Sequence, residues 1–267
     1  MFDLQNKVNG IREMWKFDNR LQLIFNRVFF PGEAVSFYRY KNVEFLNDRA
    51  AGDSNGAREL FTSPMYQEYL ETLRFDGPIN VLDLGSNNGG FSLLLKANGF
   101  EVKKLVCVEV NPETFSRLRF NIERNFDCDL RFFNVAACGE HKELSLTFDR
   151  GDVGNSIYQQ NGQRSEPITI EGRSFDEIYD QNFENEEIDI CKIDVEGAEF
   201  EILLSKNHSN IVKCRYILME IHHQKDNPER NREIVRNKLR SLGFSEIDGE
   251  RKSKEDEHYV HFFQNER

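Results

Sequence analysis

The sequence predicts an α/β fold: an open, mostly parallel sheet covered by helices on both faces, with an antiparallel end strand. Three observations carry this. From about residue 79, short apolar runs alternate with segments of helical spacing, the signature of strand–helix–strand units. The runs are apolar almost throughout, as strands buried on both faces are. The chain closes with two strand-like runs, "FSEIDGE" and "HYVHFFQ", joined by a polar loop, which places an antiparallel strand at one end of the sheet.

Residues 1–75 precede the alternation and read as an N-terminal extension of helices and irregular segments, a candidate cover for a substrate. Within it, "LQLIFNRVFF" (21–30) as a helix carries Leu21, Ile24, Phe25 and Val28 on one face, and that face is expected to pack against the core. "TSPMYQEYLETL" offers Thr62 or Ser63 before Pro64 as a helix start. The main domain, 76–267, opens with the strand "INVLDLGS" and the helix "GGFSLLLKANGF", which runs into Gly99. "KLVCVEVN" is a second strand, and Pro112 suits the first turn of the helix that follows. "LRFFNVAAC" reads as a third strand and "IDICKIDV" as a fourth, leading into a helix over about 197–206. "YILMEIHH" is a fifth, followed by a helix that Gly243 stops. An insertion at about 141–180 supplies two extra strands, "KELSLTFDR" and "EPITIEGRSFDEI", around a polar loop before the fourth strand.

Composition narrows the function. A formal net charge of −11 repels a phosphate backbone, so nucleic acid is not an expected partner. Five cysteines without CxxC spacing point to a reducing compartment without disulfides or structural zinc. No run reaches the ~18 apolar residues of a spanning helix, and the N-terminus lacks a secretory pattern. The expectation is a soluble, cytoplasmic protein of undetermined oligomeric state.

In an open α/β sheet, ligands bind outside the carboxyl ends of the strands. The first such end is "DLGSNNGG", where Gly85 and Gly89 allow a tight turn and a helix N-terminus presents free N–H groups. Its spacing matches neither the G-x-G-x-x-G of dinucleotide binders nor a phosphate loop. Glu109, ending "VCVEV" some twenty residues later, is placed to accept hydrogen bonds from both hydroxyls of a ribose. The alternative is an acid favoured by the next helix's dipole. Asn134 and the small Ala136, at the third strand end, offer a place for a base, or simply strand packing.

The segments "VLDLGSNNGGFS", "VEVNP", "NVAAC", "RSFDEI", "IDICKIDVEGAEFEIL" and "ILMEIHH" resemble, in that order, the FkbM-type family of class I methyltransferases that use S-adenosylmethionine. The resemblance covers roughly 79–263. It implies a seven-stranded Rossmann-like sheet and methyl transfer to a hydroxyl of a sugar, glycolipid, polysaccharide or natural product. By the same resemblance Asp83, Gly85, Asn87, Gly89 and Glu109 become cofactor contacts. Ser86, in the same turn, stands where alanine is usual, and "RSFDEI" replaces a more common Thr-Leu-Asp. Neither change removes a group the cofactor needs.

Such chemistry calls for an aligned hydroxyl, excluded water and a proton acceptor. Lys192 and Asp194 share a strand face, so an ion pair between them is expected, with Asp194 looking into the crevice. Glu220, His222 and His223 end the fifth strand at the same sheet edge. Asp194 or His222 is the expected catalytic base, while Glu196 and His223 are candidate substrate contacts. The acids read alternatively as helix caps. Asp194, Glu196 and Glu220 could hold Mg²⁺, a less favoured reading. In the insertion, Tyr158 could stack on a sugar, and Asn155 and Ser156 could hydrogen-bond to it. Rival readings are a protein or RNA methyltransferase, and a non-catalytic module that binds the nucleoside cofactor.

Overall fold

A computed structural model describes residues 12–30, 32–51, 53, 56–148, 166–222, 230–247 and 260–267. In chain order the elements that matter begin with helix α1 (Arg20–Phe29) and a hairpin of β1 (Val35–Tyr40) and β2 (Val43–Asp48). Helices α2 (Ala57–Thr62) and α3 (Gln67–Leu70) follow. The main sheet starts at β3 (Ile79–Leu84), then α4 (Gly90–Ala97), β4 (Val102–Val108), α5 (Pro112–Asn125) and β5 (Asp129–Phe133). Next come β6 (Ala136–Cys138), β7 (Lys142–Leu146), β8 (Ile168–Ser174), α6 (Phe175–Phe183), β9 (Ile188–Ile193) and α7 (Glu199–Leu204). The chain ends with β10 (Cys214–Glu220), α8 (Arg232–Ser241), β11 (Phe244–Glu246) and β12 (Val260–Asn265).

Seven strands form one sheet in the order β11-β12-β10-β9-β3-β4-β5. β9, β3, β4, β5 and β10 run parallel, and β12 is antiparallel to both β10 and β11. The reversed strand therefore sits one place in from the edge, because β12 inserts between its neighbours. Alternating side chains feed two separate layers. Val81, Leu105, Ile190 and Leu218 join one core with α4 and α5, whereas Leu82, Val106, Cys191 and Ile217 join the other with α6, α7 and α8. Asn111 caps α5 by accepting from Glu113 N and Thr114 N, with Pro112 at the first helical position. Ser174 and Glu177 form a reciprocal capping box on α6.

Several expectations need correction. The N-terminal segment is not purely helical, since "VSFYRY" and "VEFLND" pair as an antiparallel hairpin. Thr62 ends α2 rather than starting a helix. "LRFFNVAAC" is not one strand: β5 stays in the main sheet, while β6 turns away into a three-stranded sheet, β6-β8-β7, with the insertion. Asn134 lies at the break. Finally, α1 turns only Leu23 fully inward, and Leu21, Phe25 and Val28 face out.

The N-terminal segment shares a core with the sheet. Phe17, Tyr38, Phe45, Phe61 and Tyr66 are buried in the same cluster as Phe91, Leu118 and Ile122. Buried amides stitch the two together: Asn121 Nδ2 donates to the carbonyls of Leu46 and Asn88, and Ala57 N donates to Asn88 Oδ1. Arg117 grips the buried Asp53 through Nε and Nη2, at 2.7 and 2.8 Å. Gly90 permits this closeness, for a Cβ there would stand 2.8 Å from Ala57 Cα.

Candidate active site

The carboxyl ends of β3, β4, β9 and β10 open into a cavity of about 370 Å³. Its floor is the turn after β3. Gly85 has φ +76°, and a Cβ there would lie 1.7 Å from the Asp194 carbonyl oxygen, so no side chain is possible where the backbone leaving β3 passes that leaving β9. Lys192 Nζ donates to Gly85 O at 2.6 Å, and Asp194 N donates to Leu84 O at 3.1 Å. Ser86 Oγ donates to Asp83 O and accepts from Val108 N, tying the turn to β4. Asn87 takes a left-handed φ of 48°, and its N–H donates to Glu109 Oε2 at 2.9 Å.

Glu109 is thereby fixed before any ligand arrives. Asn111 N donates to its other oxygen at 2.8 Å, and burial raises its carboxyl to about 7. Each oxygen holds a single backbone donor and keeps a lone pair for another. Val110, Val135 and Ala136 form the apolar wall beside it.

Three expected cofactor contacts do not line the cavity. Asp83 is fully buried beneath the turn, where Ser92 Oγ donates to it at 2.7 Å and Lys192 Nζ lies 3.8 Å away; burial pushes its carboxyl up. Gly89, φ +93°, packs against Leu118 and Ile122. Asn134 donates through Nδ2 to the carbonyls of Glu109 and Val110, which anchors the bend between β5 and β6. Gly85, Ser86, Asn87, Glu109, Ala136, Asp194, Glu196 and His222 all face the cavity. His223, Ser156, Tyr158 and Asn155 lie outside the described residues.

The opposite side of the cavity is charged. Lys192 Nζ is 3.1 Å from Asp194 Oδ2, forming the expected ion pair. Burial opposes the Lys192 charge, but Asp194 and Asp83 outweigh it and hold the ammonium ionised. His222 is ringed by carboxylates: Nδ1 donates to Glu199 Oε1 at 2.8 Å, and Nε2 is 3.5 Å from Glu196 and 3.8 Å from Asp194 Oδ1. Burial acts to lower its pKa, yet the hydrogen bond and charge of Glu199, with Asp194 and Glu196, raise it to about 10. It is therefore an imidazolium at neutral pH.

Glu199 and Tyr66 were not legible as site residues. Glu199, wholly buried, also accepts from Val195 N and Gly197 N, clasping a loop in which Glu196 (φ 52°) and Gly197 (φ 102°) double back. The Glu three residues after Glu196 in "VEGAE" was the available signal. Tyr66 reaches in from the N-terminal segment, and its hydroxyl donates to Glu220 Oε1 at 2.7 Å. Burial and Asp194 raise the Glu220 carboxyl to about 7. Asp194, Glu220 and His222 present ligand atoms within 4.8 Å of one another, so they are the residues that could hold a divalent ion.

A profile of the methyltransferase FkbM domain matches residues 83–246, which takes in the glycine turn, Glu109 and the strand tips. The chain belongs to the FkbM methyltransferase family. Membership brings S-adenosylmethionine as the cofactor. No curated protein matches the sequence. Among solved structures, methyltransferase FkbM from Methylobacillus flagellatus KT is 15% identical with a TM-score of 0.48, over 73% of this chain and 45% of that one. This FkbM-family chain thus spans less than half the length of that protein. Trm5b from Pyrococcus abyssi is 13% identical with a TM-score of 0.45, over 86% and 56% of the two chains. M. capricolum TrmK, solved with S-adenosyl-homocysteine, is 13% identical with a TM-score of 0.40, over 77% and 69%. Among the described residues no helix is long and apolar enough to cross a membrane.

Proposed function

We propose that this protein is an S-adenosylmethionine-dependent O-methyltransferase acting on a hydroxyl of a sugar, glycolipid, polysaccharide or related natural product. The observation that carries the reading is the meeting, in one cavity, of the Gly85–Asn87 turn, the pre-set Glu109 carboxylate and the Asp194 carboxylate. The residues fit the donor. Glu109 has acceptor capacity for a ribose diol, Val110, Val135 and Ala136 suit a flat base, and five carboxylates against Lys192 and His222 line the cavity. That excess of negative charge favours a cationic ligand and opposes a phosphate-rich acceptor. When bound, S-adenosylmethionine supplies a methyl carbon already activated by its sulfonium.

The chain's own task is to align the acceptor and take one proton. Asp194 is the proposed base: Oδ2 is tied to Lys192, while Oδ1 stands 3.8 Å from His222 Nε2, beyond hydrogen-bonding distance, and keeps its lone pairs. Lys192 and His222 stand on either side of the Asp194 carboxylate. An oxygen that has gained a methyl carbon is far more acidic than a carboxylic acid, so a weak base suffices late in the transfer. His222 carries a proton at neutrality and acts as an electrostatic anchor, oriented by Glu199. Tyr66, Leu60 and Met65 of the N-terminal segment also line the cavity and are proposed to select the acceptor and keep water out.

The test is labelled-methyl transfer over a panel of oligosaccharides, glycolipids, peptides and RNA. Methyl incorporation into a hydroxyl-bearing glycan or lipid supports the reading. Transfer confined to RNA or peptide overturns it.

A further inference from the structure

We propose that the N-terminal segment holds an oxyanion site for phosphate or a phosphomonoester, outside the methyl-donor cavity and independent of the acceptor reading. Three arginines from different parts of the segment meet there. Arg27 is half-buried on α1, one turn on from the buried Leu23, and so turns inward on the same face. Arg49 directly follows β2, and Arg58 lies in the first turn of α2. Burial, then the charges of Arg49 and Arg58, pull the Arg27 pKa down, so the three cations are near neighbours. Tyr38 of β1 reaches the same place. It is wholly buried, its ring set edge-on to Phe17 at 4.8 Å and stacked on Phe45 at 5.3 Å. Burial pushes its hydroxyl pKa up, while Arg58, Arg49 and Arg27 act to lower it.

Two buried donors in this cluster have no partner. Tyr38 Oη and Arg58 Nε make no hydrogen bond among the described residues, although buried polar groups are nearly always paired. The charge is equally unbalanced. Arg49 donates to the carbonyls of Glu33 and Ala34 rather than to an acid. Glu13, 3.8 Å from Arg58 Nη1, is the one carboxylate paired with any of the three arginines among the described residues. Three guanidinium charges against one carboxylate leave an excess of two. A doubly charged tetrahedral oxyanion matches that excess. Guanidinium forks bind its oxygens in pairs, and a tyrosine hydroxyl can donate to another. A carboxylate, with one charge and two oxygens, would satisfy these donors less completely. None of Arg27, Tyr38, Arg49 and Arg58 lines the methyl-donor cavity, whereas Glu59 and Leu60, next along α2, do. The site is therefore separate from the acid-rich cavity that opposes phosphate.

Calorimetry of the full chain with inorganic phosphate and with glucose 1-phosphate, against sodium chloride at matched ionic strength, tests this. Phosphate is expected to bind and to raise the thermal midpoint, and chloride to do neither. Tighter binding of glucose 1-phosphate marks an organic phosphate as the ligand, and equal or weaker binding marks the free ion. Tyr38→Phe keeps the ring packing and removes the unpartnered hydroxyl. It should bind phosphate at least about tenfold more weakly, with no loss of thermal midpoint in phosphate-free buffer. Arg27→Gln/Arg58→Gln should abolish binding. A midpoint that responds equally to phosphate and chloride, or a phosphate affinity untouched by these changes, overturns the proposal. So does a Tyr38→Phe chain that is less stable without phosphate, since its hydroxyl would then have a partner. Competitive displacement of phosphate by S-adenosylhomocysteine would place the ion in the cavity and also overturn it.

Discussion

Replacing Glu199 by Gln separates the electrostatics of the site from its shape. In the parent, Glu199 Oε1 accepts from Val195 N and Gly197 N, each at 3.2 Å, and from His222 Nδ1 at 2.8 Å. Glutamine keeps an acceptor for the loop amides and removes the charge. The His222 pKa rises from 6.5 to about 10, which corresponds to on the order of 5 kcal/mol favouring the folded chain. Because the folded pKa is the higher one, this contribution is complete below pH 6.5 and is lost as pH climbs through about 10. Burial opposes the rise, and Glu199 leads the groups that produce it. Glu199→Gln is therefore expected to cost roughly 2–3 kcal/mol at pH 6, the range of a hydrogen bond to a charged partner. Near pH 10 it should be neutral or mildly stabilising, since there the parent holds a buried carboxylate whose cation is leaving. Urea unfolding of both proteins at the two pH values, with imidazole titration by NMR, measures this. A penalty independent of pH, or a parent His222 titrating near its ordinary value, would refute the reasoning.

Three further outcomes are expected. Gly85→Ala, with its Cβ 1.7 Å from the Asp194 carbonyl oxygen and φ +76°, should destabilise the fold by about 3 kcal/mol or more, read by chemical denaturation; a loss under about 1 kcal/mol would contradict the close approach of the backbone just beyond β3 and β9. Asp194→Asn should lower kcat by about 10²–10⁴ once an acceptor is in hand, with S-adenosylhomocysteine affinity within a few-fold of the parent. Tyr66→Phe removes a hydrogen bond that holds the Glu220 carboxyl down against burial and Asp194. It should move the Glu220 carboxyl titration upward, read by NMR, and an unmoved titration would contradict the Tyr66–Glu220 contact.

The sheet was legible because each strand declares itself locally. Runs such as "VLDLG" and "ICKID" are mostly apolar, and Pro112 marks a helix start; "RSFDEI", read as part of a strand, instead turns at Ser174 into α6. The glycine turn was legible for a similar reason, since Gly85 and its acid partner each punctuate a strand end. What escaped depends on contacts across the chain. Tyr66 meets Glu220 154 residues away, and Asn134 looks like a ligand contact until the bend between β5 and β6 is seen to need its amide. Glu199 is half hidden because its task exists only once Glu196 and Gly197 adopt left-handed backbone. The spacing of Leu21, Phe25 and Val28 established an apolar helix face but held no information on its direction. The hairpin over 35–48 was missed where short alternating strands lay outside the regular strand–helix rhythm.

A crystal structure with S-adenosylhomocysteine tests the central claim most directly. The account predicts adenosine over the Gly85–Asn87 turn, both ribose hydroxyls donating to Glu109, and the sulfur turned toward Asp194 and His222. Ligand bound elsewhere, or a ribose that makes no contact with Glu109, would contradict it.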